Sequence, residues 1–223
     1  MNKSIVKLKF TLNQLKLHSK FFRKIWIKVK GIIPSYYDDK KAIFIHIPKA
    51  AGRSVAISIF ANEKPGHYYA QDYLNSSAKK FNNYYKFTIV RNPLDRLFSS
   101  YNYLISGGGN EVDNYFGNIL KAETDNFEDF VLNWLDENKM DSWIHFTRQS
   151  KYVFLDDGSK GADFIGKFER LSEDFNLITQ DLNMKADLAY RNKNKIDCEK
   201  QHSVEVQNKV RKLYSEDYEN FNY

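Results

Sequence analysis

Two short β-rich runs, each leading through a turn into a helical pattern, constrain this chain most. The first is Ala42-Ile-Phe-Ile-His-Ile47, closed by Pro48. Lys49-Ala-Ala-Gly-Arg53 follows as a tight loop, and Ser54 to Asn62 then reads as a helix with Ser54 near its start. The second is Phe87-Thr-Ile-Val90. After Arg91 comes Asn92-Pro-Leu-Asp95, with a capping Asn, Pro at the first helical position and an acid in the first turn. That helix runs to about Ile105 and stops at Gly107-Gly-Gly109. Strands that alternate with helices are joined by crossovers, which predicts an α/β fold with a mainly parallel sheet flanked by helices.

The remaining pattern is consistent with one domain behind an arm. Phe127 to Leu135, Leu171 to Leu182 and His202 to Phe221 read as helices. Tyr152 to Leu155 and Phe164 to Phe168 read as strands, with Asp157-Gly158 as a turn, and residues 63–83 are polar and tyrosine-rich. No run reaches the ~18 apolar residues of a membrane span. A single cysteine, Cys198, can neither close an intramolecular disulfide nor share a zinc site with other cysteines.

The formal charge of +6 sits in the arm. Residues 1–40 hold ten Lys or Arg against Asp38 and Asp39, while the other 183 residues hold 24 bases and 26 acids. A near-neutral body argues against nucleic acid as a partner. Within the arm Leu8, Leu12, Leu15, Phe22, Ile25, Trp26 and Val29 recur at helical spacing among the lysines, and Gly31 and Pro34 end the pattern. Residues 34–40 read as a linker, so the expected division is an arm and linker over 1–40 and a catalytic domain over 41–223. The arm shows neither a compact apolar core nor an A-x-A-like cleavage site, so a signal peptide is not expected. A basic amphipathic helix suits an anionic membrane surface, which predicts a cytoplasmic protein peripheral on the inner face of the membrane. Packing of the arm on the domain, or contact of its lysines with an acidic glycan, are the other readings.

The first strand–loop–helix is built for an anion. Turn and first-turn N–H groups point at a bound negative charge, Gly52 allows the tight path and Lys49 adds a mobile cation. It is not a Walker A loop, because Lys49 precedes Gly52 and no Gly-Lys-Ser/Thr follows. A nucleotide-dependent phosphotransferase is therefore the weaker alternative. In the second segment Leu94, Leu97, Phe98 and Tyr101 form one stripe, and Ser99 lies about 140° from Leu94, off that stripe. Arg91 and Ser99 are thereby able to converge on one anion; the alternative is a helix-entry arginine and a surface serine.

These segments resemble the PAPS-dependent sulfotransferases (PAPS is 3′-phosphoadenosine 5′-phosphosulfate), in particular the carbohydrate branch with the chondroitin 4-O- and heparan/uronyl 2-O-sulfotransferases. Ile45-His-Ile-Pro-Lys-Ala-Ala-Gly-Arg-Ser54 is similar to the 5′-phosphosulfate loop, and Val90-Arg-Asn-Pro-Leu-Asp-Arg-Leu-Phe-Ser-Ser-Tyr101 to the 3′-phosphate segment. Phe164–Leu171 and Leu213–Tyr223 also resemble the family. The resemblance implies a P-loop-like three-layer fold and PAPS as donor, with no metal. It implies a donor site of Lys49, Ala51, Gly52, Arg53, Ser54, Arg91 and Ser99, in which Lys49 stabilises charge on the leaving phosphate oxygen. Arg53 departs from the pattern, where the family has a hydroxyl. The acceptor implied is a carbohydrate, on a polysaccharide or glycolipid. A non-catalytic membrane- or polyanion-binding protein is the rival from another class.

Transfer to a hydroxyl needs a base, and a histidine near neutrality suits it. Among the five histidines, His18 lies in the arm, His202 starts the last helix and His46 sits within a strand. His67, in Gly66-His-Tyr-Tyr69, is similar in position to the base of the 2-O-sulfotransferase relatives, and His145 is the second candidate. Tyr68, Tyr69, Tyr73, Tyr84 and Tyr85 are candidates to stack on sugar rings or to pack, and Arg148 and Gln149 are candidate ligand contacts.

Overall fold

The computed structural model describes residues 3–62, 65–189 and 202–223; Cys198 lies outside them. The arm forms two helices, α1 (Lys3–His18) and α2 (Lys20–Lys30), rather than one run. The break falls at Ser19, whose Oγ accepts the Phe22 N–H at 3.4 Å, an N-cap bond that restarts the helix. Gly31, at φ +62°, ends α2. The expected linker is instead α3 (Ser35–Lys40), which follows Pro34 and is held by the buried Tyr37 hydroxyl donating to the Phe44 carbonyl at 3.0 Å. Next come β1 (Ala42–Phe44), α4 (Gly52–Phe60), α5 (Ala70–Ser76), α6 (Ala78–Asn83) and β2 (Tyr85–Val90). Then follow α7 (Pro93–Ile105), α8 (Glu111–Glu123), α9 (Phe127–Asp129) leading into a π-helical turn over Phe130–Trp134, and α10 (Glu137–Met140). The chain continues through α11 (Ser150–Val153), β3 (Phe164–Lys167), α12 (Leu171–Asp181), α13 (Val204–Leu213) and α14 (Ser215–Phe221).

Two compact units emerge. One comprises Met1–Arg23, Pro93–Arg148 and Ile196–Tyr223; the other Lys24–Asn92 and Gln149–Lys195. The second unit carries the sheet, three parallel strands in the order β1-β2-β3. Beyond β1 the Ile45 N–H still donates to the Phe87 carbonyl at 2.9 Å, and Thr88 Oγ1 donates to the Ile45 carbonyl at 2.7 Å. Residues Ala42 to Ile45 are fully buried, as expected of a parallel strand covered on both faces.

The first unit is helical. Its core joins Leu94, Leu97, Tyr101 and Leu104 of α7 to Phe116 and Leu120 of α8 and Val206 and Val210 of α13. Gly117 lets α8 approach α7, since a Cβ there would stand 2.1 Å from the Leu104 carbonyl oxygen. Arg96 is wholly buried and donates to the carbonyls of His145 (3.2 Å) and Thr147 (2.7 Å), which pins the segment after α10.

Several elements differ from expectation. Tyr152–Leu155 is not a strand: Tyr152 and Val153 end the single-turn α11, and only Phe154 makes a bridge, to Lys160. Consecutive buried apolar residues fit a helical turn as well as a strand, and the Tyr152 N–H closes that turn on the Gln149 carbonyl. The last helix is split at Tyr214, with Ser203 capping α13. The polar stretch 63–83 contains α5 and α6, whose entry Asp72 fixes by accepting the Tyr69 N–H at 2.8 Å.

Candidate functional site

The loop between β1 and α4 has an unusual backbone. Lys49 (φ +68°) and Ala51 (φ +59°) are both left-handed, a conformation that costs a non-glycine residue about 1–2 kcal/mol. Left-handed residues of this kind occur in the backbone turns that bind anions elsewhere. Ala51, not Ser54, is the N-cap of α4; Gly52 opens the helix and Ser54 sits in its first turn, part-buried. Arg53 is exposed.

Gly52 is required by a close approach rather than by φ. A Cβ at that position would lie 1.7 Å from His46 Cδ2 and 1.8 Å from His46 Nε2. The His46 ring thus presses on the first residue of α4, and its Nδ1 lies 3.3 Å from the Pro65 carbonyl oxygen. Burial drives its pKa well below the ordinary histidine value, with His67 pushing the same way.

His67 packs on that ring at a 4.2 Å centroid distance, tilted by 34°. Its Nδ1 lies 3.3 Å from the His46 carbonyl oxygen. In a neutral ring that contact places the proton on Nδ1 and the lone pair on Nε2. Burial is the main cause that lowers the His67 pKa to about 4; the His46 carbonyl opposes this, and the Lys49 charge adds to it. At neutral pH the ring is uncharged, beside a lysine.

Arg91 closes the other side. Its Nη1 reaches the Lys49 carbonyl at 3.4 Å, and its guanidinium lies 4.3 Å from the centre of the Phe168 ring. Gln149, fully buried, clamps the Arg91 backbone: Oε1 accepts the N–H at 2.9 Å and Nε2 donates to the carbonyl at 2.8 Å. Sequence spacing of 58 residues gives no hint of this clamp. The second unit therefore brings Lys49, Arg91, His46 and His67 together around one loop.

Residues 36–223 agree with the model of the Sulfotransferase family. The chain belongs to the sulfotransferase family. No curated protein and no solved structure matches it. As a sulfotransferase it is a transferase of sulfuryl groups.

The other residues singled out in this sulfotransferase have the following surroundings. Ser99 is part-buried on the second turn of α7, in the first unit. His145 is buried in that unit, with Nδ1 4.0 Å from Asp113 Oδ1. Asp113 also accepts from Tyr103 (3.0 Å), Trp143 (3.1 Å) and Asn110 (2.6 Å), and burial raises its pKa. His202 packs against Phe98 and Phe127. The His18 side chain lies outside the described residues. Gln149 spends its amide on Arg91, and Arg148 Nε donates to the Leu213 carbonyl at 3.0 Å. Among the tyrosines, Tyr69 and Tyr73 are buried, Tyr84 donates to Asp38 at 2.9 Å, and Tyr85 donates to Asp181 at 2.5 Å. Tyr68, next to His67, lines a cleft of about 250 Å³ with Lys30, Pro34, Tyr36 and Tyr73. Among the described residues no group of His, Cys, Asp or Glu has metal-holding geometry.

Proposed function

We propose that this sulfotransferase moves the sulfuryl group of PAPS to a hydroxyl of a carbohydrate acceptor, with His67 as the base. The observation that carries the reading is the meeting of Arg91 with the Lys49 carbonyl at 3.4 Å, in the unit that also holds His67 against the His46 carbonyl at 3.3 Å. PAPS supplies a sulfuryl group activated by a phosphate leaving group, and the other partner must supply a deprotonating hydroxyl.

The residues divide that work. Lys49 and the N–H groups at the start of α4 face the 5′ end of the donor, where negative charge grows on the leaving oxygen. Arg91 holds the 3′-phosphate, and the family resemblance adds Ser99 to that contact. Clamping of both Arg91 backbone groups by Gln149 fixes the strand end from which the guanidinium projects. His67 Nε2 receives the proton as the acceptor oxygen bonds to sulfur and the bond to the phosphate oxygen breaks. Burial is the main cause that depresses His67; an anionic donor beside Lys49 offsets only the smaller, charge-borne part of that depression.

The acceptor side is supported by the Tyr68 cleft, where an amphipathic ring suits one face of a sugar. The test is transfer of labelled sulfate from PAPS to a panel of glycans, with phenols and steroid alcohols as controls. Labelled glycan supports the reading; labelling of the phenols or steroids alone would reassign the acceptor.

A further inference from the structure

Of the ten large apolar side chains exposed among the described residues, eight lie on α1 and α2: Ile5, Leu8, Leu12, Leu15, Phe21, Phe22, Ile25 and Val29. Chance surface exposure scatters such residues singly, and grouping marks a binding surface. Both helices precede the residues matched by the family, which begin at 36, so the shared sulfotransferase core does not explain them.

Each helix has two unlike faces. On α1, at 100° per residue, the exposed Ile5, Leu8, Leu12 and Leu15 fall within an arc of about 80°. Phe10 points roughly the opposite way and packs on Tyr115, Phe116 and Trp143 of its own unit, at centroid distances of 5.4, 5.8 and 5.5 Å. On α2 the exposed Phe21, Phe22, Ile25 and Val29 span about 100°. Ile27, fully buried, lies across the helix from them. The inner faces are thus already satisfied, while Phe21 at 70% and Val29 at 83% exposure are left in water.

The charge around these faces selects the occupant. Residues 3–30 contain no acid and nine Lys or Arg. By helical position Lys24 and Lys28 border the α2 apolar arc on one edge, and Trp26 borders it on the other. Lys30 lies 4.6 Å from the Trp26 ring centre. Pairing with a second copy of the chain would set these like charges against each other. An anionic lipid surface accepts both parts, taking apolar side chains below the headgroups and matching the lysines with phosphates. α1 and α2 are respectively 16 and 11 residues long, and among the described residues no helix is long and apolar enough to cross a membrane.

We propose that the outward face of α1 and that of α2 each bind an anionic bilayer, as peripheral segments lying in the plane of its surface. This does not rest on the donor assignment. The test is co-sedimentation of the full chain with phosphatidylcholine vesicles, with and without phosphatidylglycerol. Binding should need phosphatidylglycerol and weaken with salt. Phe21→Ser with Val29→Ser should lower the partition coefficient about 30-fold or more, since both side chains lose their apolar burial. Lys24→Glu with Lys28→Glu should lower it about tenfold or more on the anionic vesicles. Both variants should keep the wild-type circular dichroism and bisphosphate affinity, because the altered side chains face outward. Equal binding by wild type and both variants would overturn the proposal. So would failure of the wild type to bind anionic vesicles, including the case in which it sediments as a dimer that Phe21→Ser disrupts.

Discussion

The contact between Gly52 and His46 offers a test in which one substitution should repair another. Gly52→Ala places a methyl carbon where His46 Cδ2 and Nε2 are only 1.7 and 1.8 Å away, against an ordinary contact of at least 3.4 Å. A shift of more than 1.5 Å is thus required. The ring has little room to give it, since it packs against His67 at 4.2 Å and stacks on Phe44 at 5.5 Å. Overpacking of this kind costs about 1–3 kcal/mol. His46→Ala alone leaves a cavity and should also destabilise, by about 1–3 kcal/mol. Together the two changes remove the clash and partly fill the hole, so the double variant should be more stable than the sum of the singles predicts. A coupling of about 1–3 kcal/mol is expected for groups in direct contact. Urea unfolding of the four proteins measures it. Additivity within a few tenths of a kcal/mol would refute the claim that the ring occupies the space reserved by the glycine.

Other consequences can be checked one by one. His67→Ala should lower turnover about 10²–10⁴-fold with bisphosphate affinity nearly unchanged, whereas His145→Ala should act on stability through the Asp113 network; turnover loss confined to His145→Ala would move the base. The folded-state pKa of His67, about 4, lies below its unfolded value near 6.5, so its contribution is fully present above pH 6.5 and lost as pH falls towards 4. His46 is depressed in the same direction, so the His67 share is read as the difference in slope between the wild type and His67→Ala, which should approach about 1.4 kcal/mol per pH unit in that window; no difference, or an NMR titration midpoint above about 6.5 for the donor-free ring, would contradict the burial argument. Gln149→Glu replaces the amide that donates to the Arg91 carbonyl, and should weaken bisphosphate binding by about 1–3 kcal/mol while the fold persists. Arg96→Met strips the carbonyls of His145 and Thr147 of their buried donor and should cost about 2–4 kcal/mol in urea unfolding.

Local signals in the sequence were strongest where backbone chemistry is its own evidence. The apolar run at 42–47, the Asn-Pro start of α7 and its glycine stop each encode their element through adjacent residues, and the parallel pairing of β1 and β2 follows from the intervening helix. Tyr152 and Val153 misled because two adjacent apolar residues have no period. α8 went unread because Asn110, whose side chain accepts the N–H groups of Val112 and Asp113, reads as the tail of the glycine loop. In the site, the loop at Lys49 and the strand-end position of Arg91 were legible from adjacent residues. The Gln149 clamp and the His46–Gly52 contact were not, because both join residues with no shared periodicity. For the arm, helical spacing showed its apolar residues but not which were inward. Phe10 was absent from the predicted stripe yet packs on Trp143, and Trp26 turned to the edge of α2.

The most direct test of the donor site is calorimetric titration with adenosine 3′,5′-bisphosphate and with adenosine 5′-monophosphate, on the wild type and on Arg91→Ala. The wild type should prefer the bisphosphate. Arg91→Ala should weaken it about 30-fold or more, the loss expected when a buried phosphate forfeits its charged partner, and should leave the monophosphate nearly unaffected. Equal affinity of the wild type for the two nucleotides, or a bisphosphate affinity indifferent to Arg91, would contradict the assignment of the 3′-phosphate to Arg91.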